Sequence, residues 1–500
     1  MKQLFGLLDA VGLPLPAQSA DIFLSELCYD SRQCKKACAF FAFEGIHTDG
    51  QQYIAQAIDN GAICIFSTKE QEIKQKGILY ITTPHPRSLF SRMCAAFYEY
   101  PAKGLCLIGV TGTDGKSTTC DYLYQLLQSQ GLRTGLLGTI SMDDGSSKQP
   151  SPYRQSTPEA DSLQQFLRRC VDNGLSYVIL ECTSHALSKE YDRLATLAYD
   201  LAIVTTVTSE HLEFHKTLEA YLDAKCNLIR NLKPGGLFIS TTDNPCLETF
   251  LSCLGAKSKA TILHRDHSCS IGLPRDGRIE CTLDGRQLSL PVLLPCLASN
   301  ALLAALGACA ILKTSLESLI PSLQNLQPVQ GRMISIPNSL KLQIIMDFAH
   351  TADGYEKLFS GLPRIQATGR IIAVFGCAGE RDTSKRGPMG KIAATYAQIL
   401  ILTEEDPRQE GNEKIFADLL EQIPAEKSKD LLIEQIPDRT QAIERAFALA
   451  QPKDTLLFLG KGHEHTIEGP KGKRPWNEEE EIKKVLTTIQ NKQGDGHTCI

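Results

Sequence analysis

The sequence lacks any long uninterrupted apolar run: no stretch approaches the roughly 20 apolar residues that a membrane-spanning helix needs. It also lacks a recognisable secretion signal. The short apolar segment at the N-terminus is interrupted by Asp9, has no strong basic lead-in and carries no small-residue cleavage pattern. We therefore expect a cytoplasmic protein that is not inserted into a membrane.

Excess positive charge is missing as well. The formal net charge of −5 gives no electrostatic basis for nucleic acid as the main partner. The 18 cysteines include no C-x-x-C pair, and several, such as Cys106, Cys182 and Cys377, stand within apolar strand-like runs. We interpret them as buried thiols rather than as disulfides or a metal cluster.

The composition is typical of a globular protein, with 42% apolar and 22% charged residues. A chain of 500 residues is too long for one ordinary core, which predicts two to four domains. The first hundred residues mix helical segments with the short strands ACAFFAF, GAICIFS and GILYITT, and Tyr100-Pro101 indicates a boundary.

Strands and helices alternate after this boundary. One series contains LCLIGVTG, LSYVILECTSHA, YDLAIVTTVT and GGLFISTTDN. A second series follows Gly331-Arg332 and contains LQIIMDFAH, RIIAVFGCAG, AQILILTEED and DTLLFLGKGHE. This alternation predicts an α/β protein with parallel, doubly wound sheets. Ligands bind beyond the carboxyl ends of such strands, so each series predicts one half of a ligand site.

The strongest single motif runs from Gly109 to Thr118 and reads GVTGTDGKST. It stands between an apolar strand and a helix, the context that a phosphate-binding loop requires. Glycines let backbone N–H groups curl around phosphate oxygens at the positive end of the helix dipole. We expect Lys116 to neutralise β- and γ-phosphate charge and Ser117 to ligate Mg²⁺. The loop predicts nucleotide binding but leaves kinases, GTPases and ligases open.

Polar residues at the ends of other strands distinguish only in part among kinases, GTPases and ligases. Glu181 ends the strand YVILE, where its carboxylate can reach a metal ion held by Ser117. His211 and His215 are four residues apart, which predicts that they share one face of a helix. No H-E-x-x-H motif accompanies them, and Mg²⁺ prefers oxygen to imidazole, so a zinc hydrolase is not supported.

Ten short motifs, in this order, resemble those of the Mur ligases, and best those of the UDP-N-acetylmuramoyl-tripeptide synthetases. They are DSR from Asp30, GTDGKST from Gly112, STPE from Ser156, ECTSHAL from Glu181, EHLEFHKTLEAYLDAK ending at Lys225, GRM from Gly331, DFAHTAD from Asp347, GERDTSKR from Gly379, EDPR from Glu405 and GKGHE from Gly460. The resemblance runs nearly end to end and is highly specific as a set.

The resemblance implies three α/β domains: a UDP- and substrate-binding domain at 1–101, a central P-loop ATPase with a parallel sheet at 102–333, and a Rossmann-like, amino-acid-binding domain at 334–500. It implies an ADP-forming ligase that adds a diamino acid to a UDP-linked muramoyl dipeptide in peptidoglycan synthesis, and so serves cell shape and cell division. ATP phosphorylates the free carboxylate, and the amine then expels phosphate from the acyl phosphate. ATP and Mg²⁺ are the implied cofactors, and we expect a monomer.

The resemblance also implies the role of each matching residue. The implied ATP contacts are Gly112, Thr113, Asp114, Gly115, Lys116, Ser117, Thr118, Asn300, Arg332 and Asp347. Arg332 suits the γ-phosphate, because a guanidinium fork matches phosphate oxygens. The implied catalytic residues are Lys116, Glu181, His211 and Lys225. The implied metal ligands are Ser117, Glu181, His211 and a carbamylated Lys225, which becomes an anion when its amine takes up CO₂.

Two further sets of residues follow from the same match. The implied contacts with the UDP-linked muramoyl dipeptide are Ser31, Arg32, Ser156, Thr157, Ser184 and Arg193. The implied contacts with the incoming amino acid are Arg381, Glu405, Asp406, Arg408, Gly460 and Glu464.

The identity of that amino acid depends on the motif EDPR. The family's D-N-P-R form is associated with meso-2,6-diaminopimelate, whose distal carboxylate pairs with the arginine. This chain keeps Arg408 but has Asp406 in place of the neutral Asn. The arginine favours diaminopimelate, whereas the added acid favours a side-chain ammonium, which lysine and ornithine also carry. We expect diaminopimelate, with L-lysine or L-ornithine as the alternative.

Four other assignments agree less well with the residues. A folylpolyglutamate synthetase shares the loop and the lysine but lacks the UDP-holding domain. The D-alanyl-D-alanine-adding Mur ligase is disfavoured by EDPR and GERD. A non-catalytic nucleotide-binding scaffold predicts loss of the catalytic set, which is present. A P-loop kinase or GTPase predicts a base-reading N-K-x-D motif, which the sequence lacks.

Overall fold

The computed structural model describes residues 1–16, 21–45, 48–71, 74–153, 155–208, 210–265, 268–275, 277–365 and 369–495. The chain forms two compact units, Met1–Leu263 and His264–Ile500.

In the described residues, the first part of unit 1 contains two small sheets and three α-helices. The strands are β1 Lys2–Gln3, β2 Phe23–Leu24, β3 Leu27–Cys28, β4 Cys38–Phe41, β5 Ala62–Ser67 and β6 Leu79–Thr82, and the helices are α1 Leu4–Ala10, α2 Ile54–Asp59 and α3 Pro86–Phe97. Strands β3 to β6 form a parallel sheet in sequence order, whereas β1 and β2 pair antiparallel. The three predicted strands are confirmed as β4, β5 and β6.

The rest of unit 1 is an eight-stranded sheet with helices. The strands are β7 Cys106–Thr111, β8 Thr134–Leu137, β9 Ser141–Asp143, β10 Gln149–Pro150, β11 Tyr177–Glu181, β12 Tyr199–Val204, β13 Leu232–Thr241 and β14 Lys259–Leu263. The helices are α4 Lys116–Ser129, α5 Ala160–Asp172, α6 Ser184–Leu187, α7 Leu212–His215, α8 Leu218–Arg230 and α9 Leu247–Ser252. The strand order is β10-β9-β8-β11-β7-β12-β13-β14. The six strands β8, β11, β7, β12, β13 and β14 are parallel. The predicted parallel sheet is confirmed, with an antiparallel edge that was not predicted.

One glycine in β7 brings helix α8 close to the sheet. A Cβ atom on Gly109 would lie 2.4 Å from Leu228 Cδ1 and 2.9 Å from Tyr199 Cε1, so no larger residue is accommodated without a shift. Because β7 lies between β11 and β12, the carboxyl ends of these three strands meet at one edge.

Unit 2 contains a six-stranded sheet, a three-stranded sheet and a hairpin. The strands are β15 Cys269–Arg275, β16 Arg278–Leu283, β17 Arg286–Leu290, β18 Ile334–Ser335, β19 Gln343–Asp347, β20 Ile371–Phe375, β21 Ile399–Leu402, β22 Leu432–Gln435, β23 Thr455–Leu459, β24 Thr466–Gly469 and β25 Gly472–Pro475. The helices are α10 Pro295–Leu312, α11 Leu316–Gln324, α12 Ala352–Ile365, α13 Arg386–Tyr396, α14 Asn412–Leu420, α15 Ala425–Ser428, α16 Arg439–Leu449 and α17 Glu478–Asp495. The larger sheet has the order β18-β19-β23-β20-β21-β22 and is parallel except for β18, which confirms the second predicted series.

Two sequence interpretations bear on the core. The 17 cysteines in the described part of the chain are free thiols. Twelve of them, including Cys182 and Cys377, are buried as expected, whereas Cys106 is only partly buried. Contrary to the expectation that no stretch is long and apolar enough to cross a membrane, α10 meets that test by length and composition among the described helices. Of its 18-residue apolar stretch, 56% is buried inside the protein.

Candidate active site

The predicted phosphate loop connects β7 to α4 in unit 1. Gly112 has φ +151°, and a Cβ atom there would lie 1.8 Å from Thr205 Oγ1, so the loop needs glycine at this position. Gly115 precedes the first turn of α4 with φ +83°. The Lys116 ammonium donates to the carbonyl oxygens of Gly112 at 3.1 Å and Thr113 at 2.7 Å. The loop therefore presents a cation and a helix N-terminus together, as phosphate binding requires.

The neighbouring strand β12 fixes the loop from the other side. The Thr205 hydroxyl donates to the carbonyl oxygen of Asp114 at 2.6 Å. The N–H of Thr113 donates to the carbonyl oxygen of Thr206 at 2.8 Å. Thr118, in the first turn of α4, is buried. These contacts preorganise the loop without using its charged groups.

Glu181 lies at the carboxyl end of β11, beside the loop, and is buried. The Ser117 hydroxyl lies 3.1 Å from Glu181 Oε1 and 3.0 Å from Oε2. The backbone N–H of Thr139 donates to Glu181 Oε2 at 3.0 Å, which orients the carboxylate. The structure thus brings together the hydroxyl and the carboxylate that the sequence suggested as metal ligands. Thr139 was not predicted.

Lys225 projects from α8 to the back of the same loop and is 1% exposed. Its amine donates to the carbonyl oxygen of Gly112 at 2.7 Å. Burial lowers the pKa of this amine well below its usual range, and the nearby Lys116 ammonium lowers it further. Among the described residues, no carboxylate lies within ion-pair distance of Lys225. A lowered pKa makes it easier for this buried amine to lose its proton, and a deprotonated amine can react as a nucleophile.

His211 lies in a cluster of rings. The N–H of His215 donates to the carbonyl oxygen of His211 at 3.0 Å, but His211 has φ +55° and precedes α7, so it is not part of a helix with His215 as the prediction required. The ring of His211 lies 4.8 Å from that of His185, and its Nε2 lies 3.7 Å from Glu210 Oε2. Within the described residues, no three His, Cys, Asp or Glu side chains are grouped so that they could hold a metal ion.

The four expected dipeptide contacts of the central region surround β11. The Thr157 hydroxyl donates to the carbonyl oxygen of Glu181 at 2.7 Å, and the Ser156 hydroxyl accepts from Thr139 at 2.6 Å. Arg193 is buried and donates to the carbonyl oxygen of Thr157 at 3.1 Å. Ser184, also buried, lies 3.0 Å from His215 Nε2.

Glu159 and Arg87 accompany Arg193 and were not predicted. Arg193 Nη2 lies 2.5 Å from Glu159 Oε1, and Arg87 Nη1 lies 3.9 Å from the same oxygen. The Arg87 guanidinium lies over the Phe43 ring at 4.4 Å and over the Tyr191 ring at 4.6 Å. Two arginines therefore share one carboxylate beside the expected dipeptide contacts.

Ser31 and Arg32 lie between β3 and β4 of the four-stranded sheet in unit 1. The Ser31 hydroxyl donates to Gln56 Oε1 at 2.6 Å, and the residue is buried. The Arg32 guanidinium is exposed and is held by Asp30, with Nη2 at 2.7 Å from Oδ2. The Arg32 guanidinium holds the pKa of Asp30 below its usual value through this hydrogen bond. The exposed cation is available for an anionic ligand.

In unit 2, the three further expected ATP contacts lie on different elements. Asn300 is buried in α10. Asp347 ends β19, and its carboxylate accepts N–H groups from Met333 at 2.8 Å and Ala349 at 2.6 Å. The Arg332 guanidinium lies 4.7 Å from the Phe348 ring centroid, and its buried Nε has no hydrogen-bond partner within the described residues.

Most of the expected amino-acid contacts converge where β21 and β23 end. Gly460 has φ +98°, and a Cβ atom there would lie 2.6 Å from Glu405 Oε2. Glu405 is buried, and this oxygen has no hydrogen-bond partner within the described part of the chain. Arg408 donates to the carbonyl oxygen of Gly379, and its Nε lies 3.4 Å from Glu468 Oε2. Arg381 is exposed on the neighbouring loop.

A buried lysine joins two of these acids and was not predicted. Lys461 is fully buried, and its ammonium lies 2.9 Å from Asp406 Oδ1 and 2.6 Å from Glu464 Oε2. Burial raises the pKa of Glu464, and the Lys461 charge opposes that rise. The motif GKGHE contained this lysine, but its partner Asp406 is 55 residues away in sequence. The acid that replaces the family's Asn is therefore paired with an internal cation, which it shares with Glu464.

Family models for three Mur ligase domains match the chain in order. The model described as "Mur ligase family, catalytic domain" matches residues 24–98, "Mur ligase middle domain" matches 110–305, and "Mur ligase, glutamate ligase domain" matches 331–462.

Individual relatives match over nearly the full chain. The UDP-N-acetylmuramyl-tripeptide synthetase of Borreliella afzelii is 35% identical over 95% of this chain and 96% of its own. The UDP-N-acetylmuramoyl-L-alanyl-D-glutamate–2,6-diaminopimelate ligase of Caldanaerobacter subterraneus is 32% identical over 93% of this chain and 95% of its own. A solved structure of a ligase with that same description is 25% identical, with a TM-score of 0.64 over 98% of this chain and 100% of its own.

The fold, the phosphate loop and these matches lead to one class of protein. The chain belongs to the Mur ligase family. It is an ATP-dependent ligase of the kind that forms amide bonds in peptidoglycan precursors.

Proposed function

We propose that this enzyme adds meso-2,6-diaminopimelate to UDP-N-acetylmuramoyl-L-alanyl-D-glutamate with hydrolysis of ATP to ADP and phosphate. The observation that carries the proposal is the grouping of Lys116, Ser117, Glu181 and Lys225 around one glycine-rich loop. Relatives at 32–35% identity that are named tripeptide synthetases or diaminopimelate ligases support it. The UDP-holding domain is assigned to 1–101, the ATPase to 102–333 and the amino-acid domain to 334–500.

The nucleotide is assigned to the loop and to Asn300, Arg332 and Asp347. The donor set near the loop fits Mg²⁺, because a hydroxyl and a buried carboxylate 3.0 Å apart are oxygen ligands of the type this ion prefers. Ser117 and Glu181 would hold it, together with His211 and Lys225 as expected for the family. When bound, Mg²⁺ neutralises phosphate charge while the two anionic substrates approach one another.

Lys225 is assigned a carbamate. Its amine lies against the Gly112 carbonyl oxygen at 2.7 Å. Attack of the deprotonated amine on CO₂, with release of one proton, would turn it into an anion beside the phosphate loop. The geometry supports this assignment, because the described surroundings of the amine contain no carboxylate partner that would keep it as an ammonium ion.

The chemistry proposed for the two substrates is amide formation through an acyl phosphate. The free carboxylate of the muramoyl dipeptide attacks the γ-phosphorus of ATP, and ADP leaves. The amine of the acceptor then attacks the acyl carbon, and the tetrahedral intermediate expels phosphate. Lys116 stabilises the charge that develops on the transferred group, since its ammonium lies at the mouth of the loop. Arg193, Thr157 and Ser184 orient the dipeptide.

The acceptor is assigned from the residues around Gly460. The guanidinium of Arg408 suits the distal carboxylate of diaminopimelate, and the acids Glu405 and Glu464 suit its ammonium. A second candidate is L-lysine or L-ornithine. It is favoured by the contact of Arg408 with Glu468, which leaves less positive charge for a distal carboxylate. We further assign the enzyme to the cytoplasm, as a monomer.

The test is phosphate release from ATP with the UDP-linked dipeptide and, in separate reactions, diaminopimelate, lysine and ornithine. We expect phosphate and a new amide of the correct mass with diaminopimelate. A product with lysine or ornithine alone would replace the acceptor assignment. No product with any of the three, while an ATP analogue still binds, would refute the substrate assignment and leave the nucleotide site intact.

A further inference from the structure

Tyr221 is a fully buried side chain on α8 that touches three groups of the candidate site at once. Its hydroxyl oxygen lies 2.9 Å from Thr113 Oγ1 in the phosphate loop. The Lys225 Nζ atom lies 4.6 Å from the centre of its ring. On another side, the edge of the ring meets the ring of His215, with the centroids 5.2 Å apart. Tyr221 stands within the motif EHLEFHKTLEAYLDAK, four residues before Lys225, but the resemblance implies no role for it.

The hydrogen bond between Tyr221 and Thr113 has a defined direction. A threonine hydroxyl has one proton to donate and two lone pairs to accept. Thr113 Oγ1 lies 2.9 Å from the carbonyl oxygen of Thr208 and accepts the Thr208 N–H at 2.9 Å. Because its only proton goes to that carbonyl, the remaining lone pair accepts the proton of Tyr221. Loss of the Tyr221 hydroxyl therefore leaves this buried acceptor in the phosphate loop with only one of its two donors, the Thr208 N–H.

The ring of Tyr221 has a second role that does not need the hydroxyl. It forms one wall of the space that holds the Lys225 amine. It also packs against His215, whose Nε2 lies 3.0 Å from the Ser184 hydroxyl. One rigid side chain thus contacts the nucleotide loop, the buried lysine and the histidine that orients a dipeptide contact.

We propose that Tyr221 is a positioning residue that fixes the phosphate loop through its hydroxyl and fixes Lys225 and His215 through its ring. The roles of these three groups are those of the proposed function, on which the inference rests. The role of the hydroxyl can be tested separately from the role of the ring, because Tyr221→Phe keeps the ring and removes the hydroxyl.

The test compares Tyr221→Phe and Tyr221→Leu with the unmodified enzyme. For Tyr221→Phe we expect the Kd of a non-hydrolysable ATP analogue, measured by calorimetry, to rise roughly five-fold, the effect of one lost buried hydrogen bond. The carbamate signal at Lys225, observed by carbon NMR after incubation with ¹³C-bicarbonate, and the KM of the dipeptide substrate should not change. For Tyr221→Leu we expect weaker nucleotide binding together with a reduced carbamate signal and a raised KM of the dipeptide.

Tyr199→Phe is the matched control, since Tyr199 is also fully buried in unit 1 and its hydroxyl meets only the Cys182 thiol, at 3.7 Å, among its described hydrogen bonds. It should leave the analogue Kd unchanged even where it lowers the melting temperature. In a Thr113→Val background, Tyr221→Phe should add no further loss of analogue binding.

An unchanged analogue Kd in Tyr221→Phe, or full additivity with Thr113→Val, would overturn the positioning role. Because analogue binding needs neither the dipeptide nor the acceptor, this result is distinct from a failure of the proposed function, which would appear as the absence of amide product in the unmodified enzyme.

Discussion

Replacement of Asp406 by Asn should shift the preference of the enzyme among acceptors. Asp406 and Glu464 both contact the buried Lys461 ammonium, at 2.9 and 2.6 Å. An Asn at position 406 still accepts from Lys461 and from the N–H of Glu468, which now donates to Asp406 Oδ1 at 2.9 Å. Because Lys461 keeps Glu464 as its partner, we expect the fold to survive while the site becomes more positive by one charge.

The magnitude follows from the charge that is removed. At about 6 Å from an acceptor ammonium, one unit charge is worth ~0.7 kcal/mol at the dielectric constant of water and ~3 kcal/mol at an effective value of 20. This corresponds to roughly 3- to 100-fold in rate. Lysine and ornithine carry a bare side-chain ammonium and feel the whole effect. The distal group of diaminopimelate carries both signs, so its two contributions largely cancel.

The assay is the ratio of kcat/KM for diaminopimelate to that for lysine and for ornithine, in the unmodified enzyme and in Asp406→Asn. We expect the ratio to rise about ten-fold. Glu434→Gln is the control. Glu434 lies on the edge strand β22 and its carboxylate pairs with Arg445, so its replacement should leave the ratio unchanged. A ratio that stays constant or falls in Asp406→Asn would refute the electrostatic reasoning.

Three further predictions concern other parts of the molecule. Gly112→Ala should abolish binding of an ATP analogue and lower the free energy of unfolding by about 1–3 kcal/mol, because its Cβ would lie 1.8 Å from Thr205 Oγ1 at a φ of +151°; analogue binding with normal affinity would contradict this. Glu181→Gln keeps the shape of the side chain but removes its charge, so kcat should fall about 100-fold and a Mg²⁺ titration of activity should move to higher concentration; an unaltered titration would exclude a role in metal binding. Burial lowers the pKa of His463 from 6.5 to about 3, so the folded state resists protonation. Its contribution to stability is complete above pH 6.5 and is lost towards pH 3, by up to ~1.4 kcal/mol per pH unit, and melting curves of His463→Asn should fall less steeply with pH over that range than those of the unmodified protein.

Much of the fold was readable in the sequence because each strand of the two parallel sheets is a short apolar run followed by polar or glycine residues. Strands β7 and β23, for example, are almost wholly buried, and such runs predict a strand without knowledge of its neighbours. Strands β9 and β10 were not predicted, because they have three and two residues and too little sequence to form a pattern. The antiparallel sheet of β15 to β17 was also missed, although β16 alternates between buried and more exposed residues.

The candidate site likewise contains some residues that the sequence predicts and others that only the structure reveals. The loop residues Lys116 and Ser117 stand next to one another in a motif, so their type and spacing are visible in the sequence. Thr139 acts on Glu181 from 42 residues away, and its contribution is a backbone N–H, which leaves no trace in residue type. Tyr221 reaches Thr113 across 108 residues, and only the packing of α8 against β7 brings them together. Contacts of this kind require the tertiary structure.

The most direct test of the account follows an oxygen isotope through the reaction. The UDP-linked dipeptide is prepared with ¹⁸O in its free carboxylate and incubated with the enzyme, ATP and the accepted diamino acid, and the released phosphate is examined by mass spectrometry. Activation through an acyl phosphate predicts that one ¹⁸O atom moves from the carboxylate to inorganic phosphate for each amide formed. Amide formation with phosphate free of ¹⁸O, or with the label in AMP, would contradict the account.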